Sequence, residues 1–476
     1  MPSEKTLDWP ILASLMVLLV LAALDQTVAS TALPLIAKDL EGHGLLGWIF
    51  SIYLVASTAV IPLYGRLADR YGRRRVLLVA AALFVTGSAA CGASRGIEQL
   101  LVARGLQGLG GGGLMTLAML AARDVAPPRR VGQIQGTLGS IYGLAALFGP
   151  LLGGWLAQSF SWRWAFLLNV PIGLLVLVVL FSRYRPRVEA VPGAIDPAGA
   201  CLFALLLAAL LVATREMAAM GHGESAPTGL IAPALAMVAG LLFAWRETTV
   251  ARPLLPLHLF RQCIFVLSSL LSAGTGLSLF SALVFAPLYL QYAMDMTAVQ
   301  SGLHMLPLMA VISGGSIVGG RWLASRGRLR SVAIVAAGSM AAGLAGAAIG
   351  VGAASVRGLL GALCAVGLGI GLAIPLSMMA AQRAAVPQDL GIATALPLMF
   401  RNAGGALGVS FLGALLAHQL QLAPGGTASA EALAAAFSAA TGAVFWAAAV
   451  PCALVCLAMS GMPRMLPAPR ILISTK

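Results

Sequence analysis

The chain is 476 residues long, 59% hydrophobic and only 10% charged, with a mean hydropathy of +0.93. Soluble domains carry about 25% charged residues, so these figures exclude a soluble globular protein and describe one that crosses a membrane many times. The net charge of +14, from 30 basic and 16 acidic residues, would suggest nucleic acid in a soluble protein; here the placement of the charges excludes it.

Apolar helices long enough to cross a bilayer are predicted near 10–33, 45–65, 76–94, 97–121, 132–158, 164–182, 198–213, 229–245, 264–290, 299–320, 331–353, 358–381, 391–417 and 435–461. The first is too long for a signal-peptide core and lacks a small-x-small cleavage site, so an uncleaved first span is expected. Fourteen spans put both termini on one side. Of the 30 basic residues, Lys38, Arg95, Arg163, Arg215 and Arg357 fall in one set of loops and Arg104 and Arg401 fall within spans. The other 23 lie at the termini and in the opposite loops, which marks that side as cytoplasmic. Those basic loops face anionic membrane lipid rather than nucleic acid. The six cysteines sit in or at the ends of apolar runs, which argues against a disulfide framework, and no metal-binding spacing occurs.

Asp25 lies inside the first span. At about 1.5 Å per residue it is roughly 22 Å from the start of the run, about two-thirds of the way across a ~30 Å hydrocarbon layer. A carboxylate there must face protein or a water-filled cavity, and it marks an ion or substrate path; the plain alternative is a structural Asp tied to a neighbouring helix. Arg104, inside span four, needs an anion or several acceptors. Asp25 is the natural partner, with backbone carbonyls as the alternative.

The sequence repeats itself. At an offset of 255, Gly65, Arg66, Gly72, Arg73 and Arg75 fall on Gly320, Arg321, Gly327, Arg328 and Arg330; at 259, Gly108, Gly110, Gly112 and Gly132 fall on Gly367, Gly369, Gly371 and Gly391. Both copies start from the same side, so the repeat is parallel. The fold class is therefore all-α: residues 1–183 form a six-helix half, 184–263 a linker with two extra spans, and 264–476 a second six-helix half. Tyr53, Gln107, Tyr142, Phe280, Tyr289 and Met305 are candidates to line an apolar cavity with a few polar handles; ordinary packing is the alternative for each.

Six stretches carry a family resemblance. Gly65-Arg-Leu-Ala-Asp69-Arg70-Tyr-Gly72-Arg73-Arg74-Arg75, between spans two and three, resembles the signature loop of the major facilitator superfamily. Arg104-Gly-Leu-Gln107-Gly108 resembles its fourth-span motif. The run from Gly143 to Gly149-Pro150-Leu-Leu-Gly153-Gly154 is similar to the fifth-span motif of its antiporters. Leu24-Asp25-Gln-Thr27, Trp162-Arg163-Trp164-x-Phe166-x-x-Asn169-x-Pro171 and Asp196-x-x-Gly199 resemble motifs of the fourteen-span drug:proton antiporters.

The resemblance implies roles for particular residues. Asp25 would bind the proton and Arg104 would modulate it. Gly65, Asp69, Arg70, Gly72, Arg73 and Arg74 would form a latch between the halves. Gly143, Gly149, Pro150, Gly153 and Gly154 would form a hinge, with Gly149→Leu disabling and Gly149→Ala mild. It also implies a monomer in the bacterial inner membrane, no cofactor beyond the proton gradient, no enzymatic activity, and export of lipophilic drugs. Two departures matter. The second copy has Ala324 at the Asp69 position, and Phe280 stands opposite Asp25 with no acid in the later spans, which disfavours dicationic substrates. The alternatives are a narrow exporter or importer of one metabolite or antibiotic, and a non-transporting sensor or enzyme.

Overall fold

The computed structural model describes residues 8–40, 46–125, isolated positions within 134–158, 159–185, 196–220, 231–250, 253–255, 257–326, 328–386, 389–421 and 430–464, and no strand occurs among them. In the first half the helices are α1 (Trp9–Leu40), α2 (Leu46–Tyr71), α3 (Arg73–Ala93), α4 (Ile97–Val125), α5 (Trp164–Leu167) and α6 (Asn169–Arg183). Then come α7 (Pro197–Met220), α8 (Ile231–Thr249) and the short α9 (Leu257–Phe260). The second half holds α10 (Cys263–Tyr292), α11 (Ala298–His304), α12 (Leu306–Arg326), α13 (Leu329–Gly352), α14 (Val356–Ala384), α15 (Leu390–Gln421) and α16 (Ala430–Met459). The described positions within 134–156 are helical.

Among the described residues, 10 helices are long and apolar enough to cross a membrane. Shorter apolar stretches, Trp9–Asp25, Ile52–Ala68 and Pro197–Leu210, lie within α1, α2 and α7. The predicted sixth span is interrupted only at Leu168, whose helical φ and ψ carry α5 into α6. The predicted tenth breaks at Met305, between α11 and α12.

In the first half α3 packs on α4 and α6, α2 on α4, and α1 on α4 and α6. In the second, α13 packs on α14 and α16, α12 on α14, and α10 on α14 and α15. The inserted pair α7–α8 joins the two, because α7 touches both α2 and α15, which also touch each other. Lipid offers no hydrophobic drive between helices, so close approach at small residues holds such crossings. The two halves use the same approaches. A Cβ on Gly108 would meet the Tyr53 carbonyl at 2.6 Å, and one on Gly367 the Leu308 carbonyl at 2.7 Å. Gly87 is pressed on Gln107 and Gly343 on Val366; Gly110 on Ala80 and Gly369 on Ala336. Tyr53 and Leu308 stand 255 apart, Gly87 and Gly343 256, Gly108 and Gly367 259. The length difference between the copies is thus one residue between the second and third spans and three between the third and fourth.

Gly72 alone separates α2 from α3. Its φ of +86° lies in the left-handed region, which other residues adopt only under strain. That fixes a one-residue turn at the centre of the signature loop.

Candidate functional site

Asp25 and Arg104 meet. Arg104 donates from Nη1 to Asp25 Oδ2 at 2.7 Å, with both side chains fully buried. The pair is part of a larger polar cluster inside the first half. Gln107 donates from Nε2 to Asp25 Oδ1 at 2.6 Å and to Ser88 Oγ at 2.7 Å, and its Oε1 accepts from Arg104 Nη1 at 2.7 Å. Asn169 donates to Asp25 Oδ1 at 3.3 Å and to Ser88 Oγ at 3.4 Å. Arg104 Nε donates to the Ile49 carbonyl at 3.3 Å. Its guanidinium lies 4.3 Å from the Tyr53 ring centroid and 5.5 Å from that of Phe166, within cation–π range. Arg104 Nη2 has no partner among the described residues.

Each helix supplies its group for a local reason. Gly87 lets α4 lie against α3 so closely that Gln107 reaches Ser88. Three residues separate Arg104 from Gln107, which places both on one face of α4. Asn169 opens α6 next to the aromatic Phe166 of α5. The amide orientation of Gln107 follows from its partners, since its oxygen meets Arg104 and its nitrogen meets Asp25. Among the described residues, only donors converge on the carboxylate. A proton added to Asp25 would put a hydroxyl hydrogen against donors and break at least one of these bonds. Charge on Asp25 and the arrangement of α1, α4 and α6 are therefore linked by geometry.

Gln107, expected to line an apolar cavity, stands in the buried cluster with Asp25 and Arg104 instead. The sequence pointed to Asp25 and Arg104 as partners. It gave no role to Ser88, Cys91, Phe166 or Asn169, although Phe166 and Asn169 stand in a quoted motif. Cys91 Sγ lies 3.5 Å from Gln107 Oε1. Small neutral polar residues inside apolar spans carry little signal of their own, because most bond to their own helix.

The signature loop divides its contacts. Arg73 pairs with Asp124 at the end of α4, and Arg74 donates to the Phe181 carbonyl and lies 5.3 Å from the Phe181 ring. Both tie the loop to its own half. Arg70 is exposed and lies over the Tyr71 ring. Contact with the second half comes from Gly65, where a Cβ would stand 3.2 Å from Gly391 backbone atoms at the start of α15. Arg66 donates to the Pro253 carbonyl, beyond the inserted helices. That segment is held by Glu247, which accepts from Leu254 N at 3.0 Å and Leu255 N at 2.8 Å. Asp196 accepts from Gly199 N at 3.0 Å and from Arg246 Nη2 at 2.9 Å. Burial pushes the Asp196 carboxyl up, but the Arg246 and Gly199 bonds and the charges of Arg246 and Arg66 outweigh it and leave it below its ordinary value.

At the other end of the bundle, Asp39 accepts from Trp162 Nε1 at 2.9 Å and from Arg163 Nη1 at 2.7 Å. The Trp162 bond and then the Arg163 bond hold its carboxyl below the usual range.

Gly149 and Gly153 are buried. A Cβ on Gly149 would run into Thr27 of α1, two residues from Asp25. Among the cavity candidates, Tyr53 and Phe280 belong to one small cluster with Leu54 and Ala406, on the seam between α2 and α15. Tyr289 and Met305 are packed into the main apolar core instead. Tyr142, Gly143, Pro150, Gly154 and the side chain of Asp69 lie outside the described residues.

The family model of the Major Facilitator Superfamily matches residues 15–409. The chain belongs to the major facilitator superfamily. It is a membrane transporter and not an enzyme. It is 31% identical over 415 residues to a multidrug transporter protein, MdtP, of Bacillus subtilis (strain 168), covering 87% of this chain and 76% of that one. An uncharacterized MFS-type transporter of Mycobacterium tuberculosis (strain ATCC 25618 / H37Rv) is 34% identical over 407 residues, 84% of this chain and 58% of its own length. Multidrug resistance protein 3 of Bacillus subtilis (strain 168) is 31% identical over 302 residues, 63% of this chain and 59% of its own. Among solved structures, a xylose transporter, XylE from E. coli, superposes with a TM-score of 0.61 at 14% identity, covering 97% of this chain and 99% of that one. That likeness shows the superfamily fold of an all-helical, multi-pass membrane protein.

Proposed function

We propose that this transporter is a fourteen-span antiporter of the bacterial inner membrane that exports lipophilic or amphipathic compounds in exchange for protons. The observation that carries the reading is the buried cluster around Asp25, where a single proton must rearrange bonds that join three helices. A proton arriving from outside would release Arg104, Gln107 or Asn169 from the carboxylate. Once the site turns inward the proton would leave, and the donors would close again on Asp25. Gly149 packs on the same helix at Thr27, so movement of the fifth span would be felt two residues from the carboxylate. Both termini and the Gly65 loop lie in the cytoplasm in this reading, with residues 1–183 and 264–476 as the moving halves around 184–263. The names of the Bacillus relatives support drug-like substrates for this chain, which would act as a monomer without a cofactor.

The test is dye accumulation in cells making the protein, with and without a protonophore. Expression should lower accumulation of a lipophilic dye, and the protonophore should abolish the difference. A difference that survives collapse of the proton gradient removes proton coupling from the proposal.

A further inference from the structure

A crevice of about 10 Å³, room for one water-sized sphere, lies where the two halves and the inserted pair meet. Leu54, Val55 and Thr58 of α2, Leu207 of α7, and Ala403, Ala406 and Leu407 of α15 line it. All seven stand inside their helices, away from either end of the bundle. Six of the seven are apolar. The seventh, Thr58, is 1% exposed, and its Oγ1 has no hydrogen-bond partner among the described residues. A buried hydroxyl left without a partner costs about 1–3 kcal/mol. Most threonines within a helix avoid that by bonding a carbonyl one turn back, as Thr275 does here.

Two more observations place the crevice in the transport machinery. Leu54 and Ala406, which line it, cluster with Tyr53 and Phe280. Tyr53 in turn lies under the Arg104 guanidinium that holds Asp25. One layer of side chains thus separates the crevice from the buried carboxylate. Its outer wall is α7, from the inserted pair that stands outside the internal repeat. The opposite face of α15 is committed to its own half, with Gly404 pressed on Ala273 and Gly405 on Phe280.

We propose that this crevice is the closed form of a lipophile site at the α2–α7–α15 junction, in which Thr58 hydrogen-bonds the ligand and Leu207 shuts the lipid side. The ligand class is a lipophilic small molecule with at least one hydrogen-bonding group, because the walls are apolar and the single polar handle is neutral. Such a molecule reaches mid-membrane depth by partitioning into lipid, and α7 is the element it would displace. The inserted helices then contribute to substrate handling rather than only spacing the halves. The site deepens the export reading and rests on it for the link to transport, but the binding itself needs no proton gradient.

The test is equilibrium binding to the full chain in nanodiscs, with two monocationic probes: ethidium, which carries ring amino groups, and tetraphenylphosphonium, which has no hydrogen-bonding group. Thr58→Val should weaken ethidium roughly fivefold, the worth of one hydrogen bond, and leave tetraphenylphosphonium unchanged. Leu207→Trp should fill the crevice and weaken both probes, whereas Leu207→Ala should weaken neither; thermal melting confirms that each variant is folded. The proposal is overturned if wild type binds neither probe, if Thr58→Val affects both probes alike or neither, or if a folded Leu207→Trp binds both normally. Binding that behaves as expected, without pH-gradient-driven export, would sink the antiport reading and leave the site standing.

Discussion

The two halves share a frame and differ in what they put into it. Gly87 and Gly343, Gly108 and Gly367, Gly110 and Gly369 make the same helix crossings in the same order. Carried over on those offsets, Ser88, Cys91, Arg104 and Gln107 correspond to Leu344, Ala347, Leu363 and Val366, and Asp25 to Phe280. All five second-half residues are buried apolar groups. Small residues at the crossings therefore suffice to build the bundle, since the second half does so with no polar cluster at these positions. The cluster in the first half is an addition that the fold does not require, and a buried ion pair is weak support for stability. That contrast is what makes a functional role the better account of Asp25 and Arg104.

The largest effect should come from breaking the cluster unevenly. Arg104→Leu gives the first half the second half's residue but strands Asp25 without its counter-charge, at a cost of about 3–5 kcal/mol. Asp25→Leu combined with Arg104→Leu removes both charges and should recover most of that loss. Thermal melting of purified protein would show it, and transport driven by a pH gradient should be absent from both. A double variant as unstable as Arg104→Leu would mean that the pair holds the fold, and the contrast between the halves would fail.

A smaller effect is expected at the fifth span. Gly149 and Gly408 stand 259 apart. A Cβ on Gly149 would meet the Thr27 Cβ at 2.6 Å, which cannot swing away, whereas one on Gly408 would meet the end of the flexible Leu277 side chain. The sequence led us to expect a mild Gly149→Ala; the packing reverses that. Overpacking of this kind costs about 1–3 kcal/mol. Gly149→Ala should impair transport severalfold and Gly408→Ala little, as transport rates in vesicles would record. Equal effects would remove the special placement of Gly149 beside α1.

The smallest effect is at the Asp39 end, where the comparison has no charged counterpart to offer. Asp39 has a lowered folded pKa, so its bonds to Trp162 and Arg163 stabilise above the ordinary carboxylate range and are lost as pH falls through the lowered value. Asp39 is half exposed, so Asp39→Asn should cost under about 1 kcal/mol at neutral pH. The cost should vanish in acid. Melting curves across pH would show it, and a cost that grows on acidification would contradict the sign.

Much of this was legible in the sequence for a physical reason. Bilayer-length apolar runs and glycines at fixed offsets are imposed by lipid and by close helix contact, and both survive as pattern. A lone acid and a lone arginine inside early spans also announce each other, because each is costly alone. Ser88 and Asn169 were silent, because a neutral polar residue in a span is affordable without a partner on another helix. The contact of Gly149 with Thr27 was silent too, because it depends on which helix lies opposite. The partners of the signature loop were silent as well: Arg73 and Arg74 bind their own half, and Gly65 meets α15.

The account stands most directly on transport by Asp25→Asn in vesicles with an imposed pH gradient. The amide cannot take up and release a proton, yet it fits the same space. The variant should still exchange labelled substrate across the membrane with equal concentrations on both sides, and it should show no uphill accumulation. Uphill accumulation at the wild-type level would contradict the account, because the proton would then be bound somewhere other than the cluster that distinguishes the first half.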